Sequence, residues 1–164
     1  MSQLEEIEAI RQLEEIEAIK QLKYRYFRCL DSKRWAELAE CFVPEASSSY
    51  DDGKYSFQGR DQIIGFLERA LGRPTVITMH HGHHPEIELT SPTTATGTWY
   101  LEDLVIDAKH NTTLRGAAFY HDAYLKRDGA WKFLSTGYVR TFEEVQDRSE
   151  TPSLKLTRTR FAAE

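Results

Sequence analysis

The spacing of apolar residues divides the chain into a helical first half and a β-rich second half. Apolar residues recur every three or four positions in three segments, which is the period of an amphipathic helix. The three predicted helices end at Asp31-Ser32, at Pro44 and at Gly72-Pro74, and they cover residues 12–30, 35–42 and 61–71. Asp61 is the predicted cap of the third helix.

A short hairpin is predicted between the second and third helices. Residues 46–50 and 54–57 have strand character, and Asp51-Asp52-Gly53 between them is a turn sequence. From residue 75 onward, turn signals separate four long runs of β character, which predict an antiparallel meander over 75–90, 93–107, 113–126 and 130–141.

Helices that precede a run of strands indicate an α+β domain with the helices packed on one face of the sheet. We therefore expect a strongly curved antiparallel sheet that three helices close into a cone with an internal pocket. The remaining stretch, 142–164, is polar and is expected to be an extended tail or a subunit contact.

The amino terminus contains a tandem repeat, QLEEIEAIR at 3–11 and QLEEIEAIK at 12–20. Nine residues make two and a half helical turns, so the second copy turns its apolar stripe to the opposite side of the helix. Leu13, Ile16, Ile19 and Leu22 are expected to face the core. We expect residues 1–12 to be a helical extension, 13–145 the domain and 146–164 the tail, and we expect a homo-oligomer, dimer or trimer.

Composition limits the class of protein. At 164 residues with 40% hydrophobic and 29% charged residues, the chain is expected to form one globular domain. A net charge of −5 argues against nucleic-acid binding. No apolar run reaches transmembrane length, the acidic first residues do not resemble a signal peptide, and two cysteines do not make a disulfide framework, so a cytoplasmic location is expected.

Four of the six histidines lie within residues 79–85, MHHGHHP, inside the first long strand. Side chains alternate between the faces of a strand, so His80 is expected to share a face with Thr78, and His81 with His83. Gly82 and Pro85 predict a bulge after which this parity fails. Solvated histidines on a sheet edge, a core histidine and a functional site are all compatible with this pattern.

Asp103 and Arg140 are further candidates. Asp103 follows Trp99 and Leu101 at period two, so its carboxylate points the same way as apolar residues, which is costly unless it is paired or neutralised. It is a candidate acid, and the alternative is an interface or strand-end charge. Arg140 is a candidate for binding a substrate carboxylate or coenzyme phosphate, and a salt bridge at the rim is the alternative.

The tyrosines and Asp31 are ambiguous from sequence alone. Tyr26 and Tyr50 are candidate hydrogen-bond donors to a substrate oxygen, but core tyrosines with surface hydroxyls explain them equally. Tyr120 and Tyr138 are candidates for the pocket wall. Asp31, before Ser32 and an amphipathic segment, is favoured as a helix cap over an orienter of His80.

A catalytic metal is not expected. His81 and His83 are two apart and can point together, as zinc ligands on strands do, but no third ligand is evident from spacing. The chain also has no glycine-rich phosphate loop, nucleophile elbow or CxxC motif. No cofactor is therefore expected.

Six motifs resemble the bile acid 7α-dehydratase branch of the SnoaL-like proteins, within the nuclear transport factor 2-like superfamily. They are YFRCLD (26–31), SSSYDDGK (47–54), MHHGHHPEI (79–87), TTATGTWYLED (93–103), GAAFYHD (116–122) and TGYVR (136–140). The resemblance runs from about residue 16 to 143. It implies a catalytic set of Tyr26, Asp31, His80 and Asp103, with Tyr50 and Arg140 at the substrate site.

The resemblance implies a cofactor-independent dehydratase that eliminates water from a hydroxylated oxo-steroid, such as a bile acid derivative, free or as a coenzyme A thioester. His83, Tyr120 and Tyr138 are added as substrate contacts. The alternatives are a ketosteroid isomerase or polyketide cyclase of the same fold, or a non-catalytic module such as the small subunit of a ring-hydroxylating dioxygenase.

Overall fold

The structure is a computed structural model that describes residues 2–161. Its three helices are α1 (Gln3–Asp31), α2 (Trp35–Ala39) and α3 (Arg60–Leu71). Its six strands are β1 (Phe42–Tyr50), β2 (Tyr55–Gln58), β3 (Val76–Ser91), β4 (Thr94–Asp107), β5 (Thr112–Arg127) and β6 (Ala130–Asp147). Met1 and the end of the predicted tail, 162–164, lie outside the described residues.

The α+β class and the order of elements are confirmed. The strands form one curved, unclosed sheet in the order β2-β1-β6-β5-β4-β3, and β3 to β6 make the predicted antiparallel meander. The expectation of an entirely antiparallel sheet was wrong at one pair, because β1 runs parallel to β6. β1 and β6 are far apart in the chain, so no tight turn forces them to be antiparallel, and Phe42 lies opposite Phe133.

The second helix is shorter than predicted. It has five residues, and both Phe42 and Pro44 lie in β1. Proline has no N–H to donate to a sheet ladder, and here the pairing of β1 with β6 is irregular between Phe42 and Ser47. The third helix is not capped by Asp61, since Gly59 with a φ of 88° occupies the cap position and Asp61 lies in the first turn.

The tandem repeat belongs to one continuous helix. α1 begins with a capping box in which Ser2 and Glu5 each accept a hydrogen bond from the other's backbone N–H. Leu13 is 66% exposed, so the prediction that it faces the core was wrong, and Leu4, Ile7 and Ile10 are exposed as well. Burial of α1 begins only where Glu15 accepts hydrogen bonds from Lys126 and Trp131.

The last strand is longer than predicted. β6 continues past residue 141, and its ladder with β5 ends at the pair Thr112 and Asp147. Residues 142–147 are therefore strand rather than tail, although Phe142 and Val145 on this extension are exposed. A short 3₁₀ helix, Arg148–Glu150, follows.

An ion pair that sequence patterns do not reveal joins α1 to the sheet. Lys23 is fully buried, and its Nζ donates to Asp122 at 2.8 Å. Tyr124 and Thr136 also donate to the Asp122 carboxylate, at 2.8 and 2.7 Å. The Lys23 ammonium lies 3.5 Å from the centre of the Tyr120 ring, and burial lowers its pKa despite the nearby carboxylate. A buried hydrogen-bonded network of this kind fixes the position of α1 on the sheet.

Two further features of the fold are the hydropathy of its helices and the state of its two cysteines. Within residues 2–161, no helix is both long enough and apolar enough to cross a membrane. Cys29 and Cys41 are free, buried thiols, and burial raises the pKa of Cys41 to about 12.

We expect Lys23→Met to lower the free energy of unfolding by about 3–5 kcal/mol, because removing one partner leaves the other as an uncompensated buried charge. Lys20→Met is the matched control, since Lys20 is 4.0 Å from Glu17 in a partly exposed pair, and such pairs contribute about 0–1 kcal/mol. Urea denaturation checks both variants. Equal losses in the two would show that the buried pair does not fix α1.

Candidate active site

The helices and the concave face of the sheet enclose a cavity of about 370 Å³. Its volume lies in the range of pockets for small organic ligands. Seven of the nine predicted site residues line it: Tyr26, Tyr50, His80, Asp103, Tyr120, Tyr138 and Arg140. They come from α1 and five strands, so the fold brings together residues that are far apart in sequence.

Asp31 lies directly behind His80. As the last residue of α1 it reaches β3, where its Oδ1 is 2.6 Å from His80 Nδ1 and its Oδ2 accepts the His80 backbone N–H at 2.9 Å. Thr78 donates to Oδ1 at 2.7 Å. The helix-cap interpretation was wrong, because the cap position of α2 is Arg34 and no side chain caps that helix. Thr78 was not predicted as a partner, although its shared face with His80 was.

The contacts of Asp31 define the state of the histidine. Burial raises the pKa of Asp31, but the hydrogen bonds from His80 and Thr78, and the charge of His80 when its ring is protonated, outweigh burial and leave the pKa below its usual value. An ionised carboxylate can only accept, so Nδ1 of His80 carries a proton. Nε2 then holds the free lone pair of the neutral ring, and it has no hydrogen-bond partner among the described side chains.

Packing fixes the plane of the imidazole. The ring of Phe27 lies parallel to that of His80, at 9° and with centroids 6.3 Å apart. A Cβ on Gly82 would come within 2.5 Å of the Phe27 ring, so the glycine makes room for the aromatic ring beside the histidine.

The predicted bulge in the histidine segment is confirmed. The register between β3 and β4 shifts between His83 and Glu86, and His84 has a φ of 47°. Before the bulge the even-numbered residues face inward, whereas after it Ile87 and Leu89 pack against the core. Because of the bulge, His80 is the histidine of this segment whose side chain faces the cavity.

Two phenol groups in the cavity lack partners. The hydroxyls of Tyr26 and Tyr50 are buried close to each other, with Tyr120 and Ser48 beside them, but within the described residues neither forms a hydrogen bond of ordinary geometry. Burial raises the pKa of both well above the usual value for tyrosine. They are therefore protonated donors at neutral pH. A buried hydroxyl without a partner is costly, so the two phenols are available to donate to an oxygen of a bound molecule.

Tyr120 and Tyr138 form a continuous aromatic wall. Their rings meet edge to face with centroids 5.6 Å apart, and burial raises the pKa of Tyr138 to about 12. The Arg140 guanidinium lies 4.9 Å from the centre of the Tyr138 ring.

Asp103 and Arg140 bind each other. Asp103 is buried, as its parity with Trp99 and Leu101 predicted, and its two oxygens accept from Arg140 Nη1 at 2.5 Å and Nη2 at 2.8 Å. Burial opposes the charge of Arg140, but the bonds to Asp103 prevail and raise its pKa. The two guanidinium nitrogens that would bind a substrate anion are therefore occupied by the Asp103 carboxylate.

His83 does not lie in the cavity. It is on the outer face of the sheet, where it forms a cluster with His81 and Glu102. The structure thus separates His83 from the other predicted substrate contacts.

One wall of the cavity was not predicted. The apolar face of α3 contributes Phe66, Leu67 and Leu71. Helical periodicity identifies the apolar face, but it does not tell whether that face meets a packed core or a cavity. Lys54 and Glu143 also line the cavity, and nothing in the alternation of their segments marks them.

The fold and the sequence were compared with known proteins. Residues 11–136 match the model of the SnoaL-like domain. A candidate scytalone dehydratase from Novosphingobium aromaticivorans is 28% identical, with a TM-score of 0.75 over 81% of this chain and 88% of that one. The type 3 hexachlorocyclohexane dehydrochlorinase LinA from Novosphingobium barchaimii is 20% identical, with a TM-score of 0.75 over 84% and 94% of the two chains.

ActVI-ORFA from Streptomyces coelicolor has the same fold at 17% identity, with a TM-score of 0.66 over 77% of this chain and 96% of that one. The dehydrochlorinase and ActVI-ORFA, at these identities, share the fold alone. The domain match covers well over half of the chain, and the chain therefore belongs to the family of SnoaL-like domain proteins.

Proposed function

We propose that the protein is a cofactor-independent dehydratase that eliminates water from a hydroxylated, oxo-bearing polycyclic molecule of steroid type. The observation that carries the proposal is the free Nε2 of a carboxylate-held His80 in one cavity with two buried phenols that lack partners. Elimination β to a carbonyl needs a base for a carbon-bound proton and donors for the oxygens, and this cavity supplies both.

His80 is the proposed base. Nε2 takes the proton from the carbon next to the carbonyl, and the electron pair of that C–H bond moves toward the carbonyl oxygen to give an enolate. The imidazolium that forms is stabilised by Asp31, which already accepts from Nδ1. The side chains of His80 and Asp31 are only 9% and 26% exposed, and this partial burial lowers the local dielectric and strengthens the charge interaction.

Tyr26 and Tyr50 are the proposed donors. One phenol hydrogen-bonds the enolate oxygen, in the manner of an oxyanion hole. When the enolate collapses, the bond from the β carbon to its hydroxyl breaks, and the departing oxygen takes a proton from the imidazolium to leave as water. The histidine is thereby returned to its neutral form, and no proton or electron is left unaccounted for.

Asp103 and Arg140 are proposed as a polar anchor. Both oxygens of Asp103 are occupied by Arg140, so the pair orients a polar substituent rather than supplying a proton. The aromatic rings of Tyr120 and Tyr138 and the apolar side of α3 suit a flat hydrophobic ring system. The substrate is either a free acid or the coenzyme A thioester of that acid. Assays with each compound distinguish these two forms.

One relative supports an elimination in general. The candidate scytalone dehydratase, at 28% identity, is named for a dehydration. A ketosteroid isomerase or a polyketide cyclase would use similar base and oxyanion chemistry. The mass of the product distinguishes isomerisation from dehydration. Isomerisation leaves the mass of the substrate unchanged, whereas dehydration removes about 18 Da, the mass of one water molecule.

We expect His80→Ala to lower turnover by about 10²–10⁴, the usual contribution of a general base. The assay screens hydroxylated oxo-steroids by mass spectrometry and by the absorbance of the new conjugated double bond. His110→Ala is the control, since His110 is exposed and pairs only with Asp107. Circular dichroism tests folding. Turnover by a folded His80→Ala within about tenfold of wild type would rule out the base role.

We expect Asp31→Asn to lower kcat by at least about 10², with a smaller effect on KM, because the amide removes the negative charge that supports the imidazolium. It also favours the wrong tautomer, as the same change does to the aspartate of a serine-protease triad. Asp61→Asn is the matched control at a 92% exposed carboxylate. A kcat unchanged in a folded Asp31→Asn would show that His80 does not depend on Asp31.

We also propose a homo-oligomer. The amino-terminal part of α1 exposes the apolar residues Leu4, Ile7, Ile10 and Leu13, and the outer sheet face exposes Tyr100, Phe119 and Val139. Light scattering is expected to give a mass at least twice the 19.0 kDa of the chain at micromolar concentration. A variant with Tyr100, Phe119 and Val139 changed to serine is expected to shift toward the monomer. A 19.0 kDa particle for wild type would contradict the proposal.

A further inference from the structure

We propose that His81, His83 and Glu102 bind a divalent transition-metal ion, zinc by preference, on the outer face of the sheet. This site is distinct from the cavity, because His81 and His83 point away from it. It uses His81 and His83, two histidines of the 79–85 segment that have no role in the proposed acid–base chemistry.

The strand geometry places the three side chains together. His81 and His83 are two residues apart on β3, so both project from the same face, with ring centroids 5.7 Å apart. Glu102 is the register partner of His81 on the neighbouring strand β4. One ligand atom from each of the three residues lies within 4.8 Å of the other two, and His83 Nε2 is 3.6 Å from Glu102 Oε2.

The distances need only a small closure to hold an ion. Zinc bonds of ~2.0–2.2 Å in a tetrahedral site put ligand atoms ~3.3 Å apart. Side-chain rotation can supply the difference, because the side chains of His83 and Glu102 are 41% and 64% exposed and no tight packing holds them. The backbone positions stay fixed by the β3–β4 ladder, which places the ligands before the ion arrives.

The donor set decides the class of ion. Two imidazole nitrogens and one carboxylate are typical ligands of zinc and its transition-metal neighbours, whereas magnesium and calcium prefer oxygen alone. Because all three ligands face solvent, a fourth position is open to water. The net charge of the three ligands with neutral histidines is −1, which a divalent cation offsets.

The position of the site suggests what the ion does. β3 is the edge strand of the sheet, so it is paired on one side only. The rung that joins His81 to Glu102 is next to the rung that joins His80 to Asp103, on the opposite face. An ion held across the first rung ties the edge strand to β4 beside the proposed base, and thus it stabilises the folded chain.

The test is a zinc titration of the full-length apoprotein, followed by competition with a chromophoric chelator and by thermal unfolding. We expect one zinc ion per chain and a rise in Tm of roughly 5–10 °C at a zinc concentration about 100-fold above the Kd. His83→Ala and Glu102→Gln are each expected to weaken binding at least tenfold, and magnesium is expected to leave the Tm unchanged.

Three control variants locate the ion. His80→Ala removes the histidine of the cavity, His84→Ala removes the neighbouring histidine in the bulge, and His110→Ala removes the partner of Asp107. All three are expected to bind zinc as wild type does, with circular dichroism confirming their fold. Absence of binding at about 1 mM zinc, the weak end of the range of protein–metal affinities, would overturn the proposal. So would wild-type affinity in folded His83→Ala and Glu102→Gln.

Discussion

The contact between Asp31 and β3 is the interaction on which the candidate site depends. The carboxylate binds three groups on one strand: the imidazole and the backbone N–H of His80, and the hydroxyl of Thr78. It thus joins the end of the longest helix to an edge strand that has a neighbour on one side only. Without this contact, the tautomer of His80 would not be fixed.

The helix can hold Asp31 in place because it is anchored earlier along its length. Glu15 binds Lys126 and Trp131, and two turns later Lys23 is buried against Asp122. A helix is rigid over this length, so anchoring near its middle fixes where its last residue lies. Phe27, one turn before Asp31, places its ring parallel to the His80 ring, with the centroids 6.3 Å apart. The same helix therefore supplies the support, the packing and the carboxylate.

The alternation of the strands explains why one histidine segment serves two environments. Successive side chains on β3 and β4 face opposite sides, so His80 and Asp103 face the cavity while His81 and Glu102 face solvent. A shift of one residue in register would exchange the two sets. The bulge after His83 ends this pattern, and it returns Ile87 and Leu89 to the core.

Much of this arrangement was predictable from the sequence, because local periodicity carries it. The burial of Asp103 followed from its parity with Trp99 and Leu101, and the bulge followed from Gly82 and Pro85. Partners across the fold were not predictable by periodicity. Asp31 looked like a helix cap, and only the family resemblance connected it with His80, 49 residues away.

The partner of Arg140 and the burial of Lys23 were hidden for the same reason. Asp103 is 37 residues from Arg140, and Asp122 is 99 residues from Lys23. Because its neighbours on the helix are of mixed polarity, Lys23 would be predicted to be exposed. Only its partner on the sheet explains its burial. The length of α2 was overestimated, because Cys41 and Phe42 fit a helical period and a strand equally.

The central claim is that Asp31 holds His80 with Nδ1 protonated and Nε2 free. The most direct measurement is a long-range ¹H–¹⁵N correlation spectrum of protein labelled in its histidines, with His80 assigned by its loss in His80→Ala, at a pH where the ring is neutral. The account predicts a proton on Nδ1 and a lone pair on Nε2 for His80. A neutral His80 that carries its proton on Nε2 would contradict it.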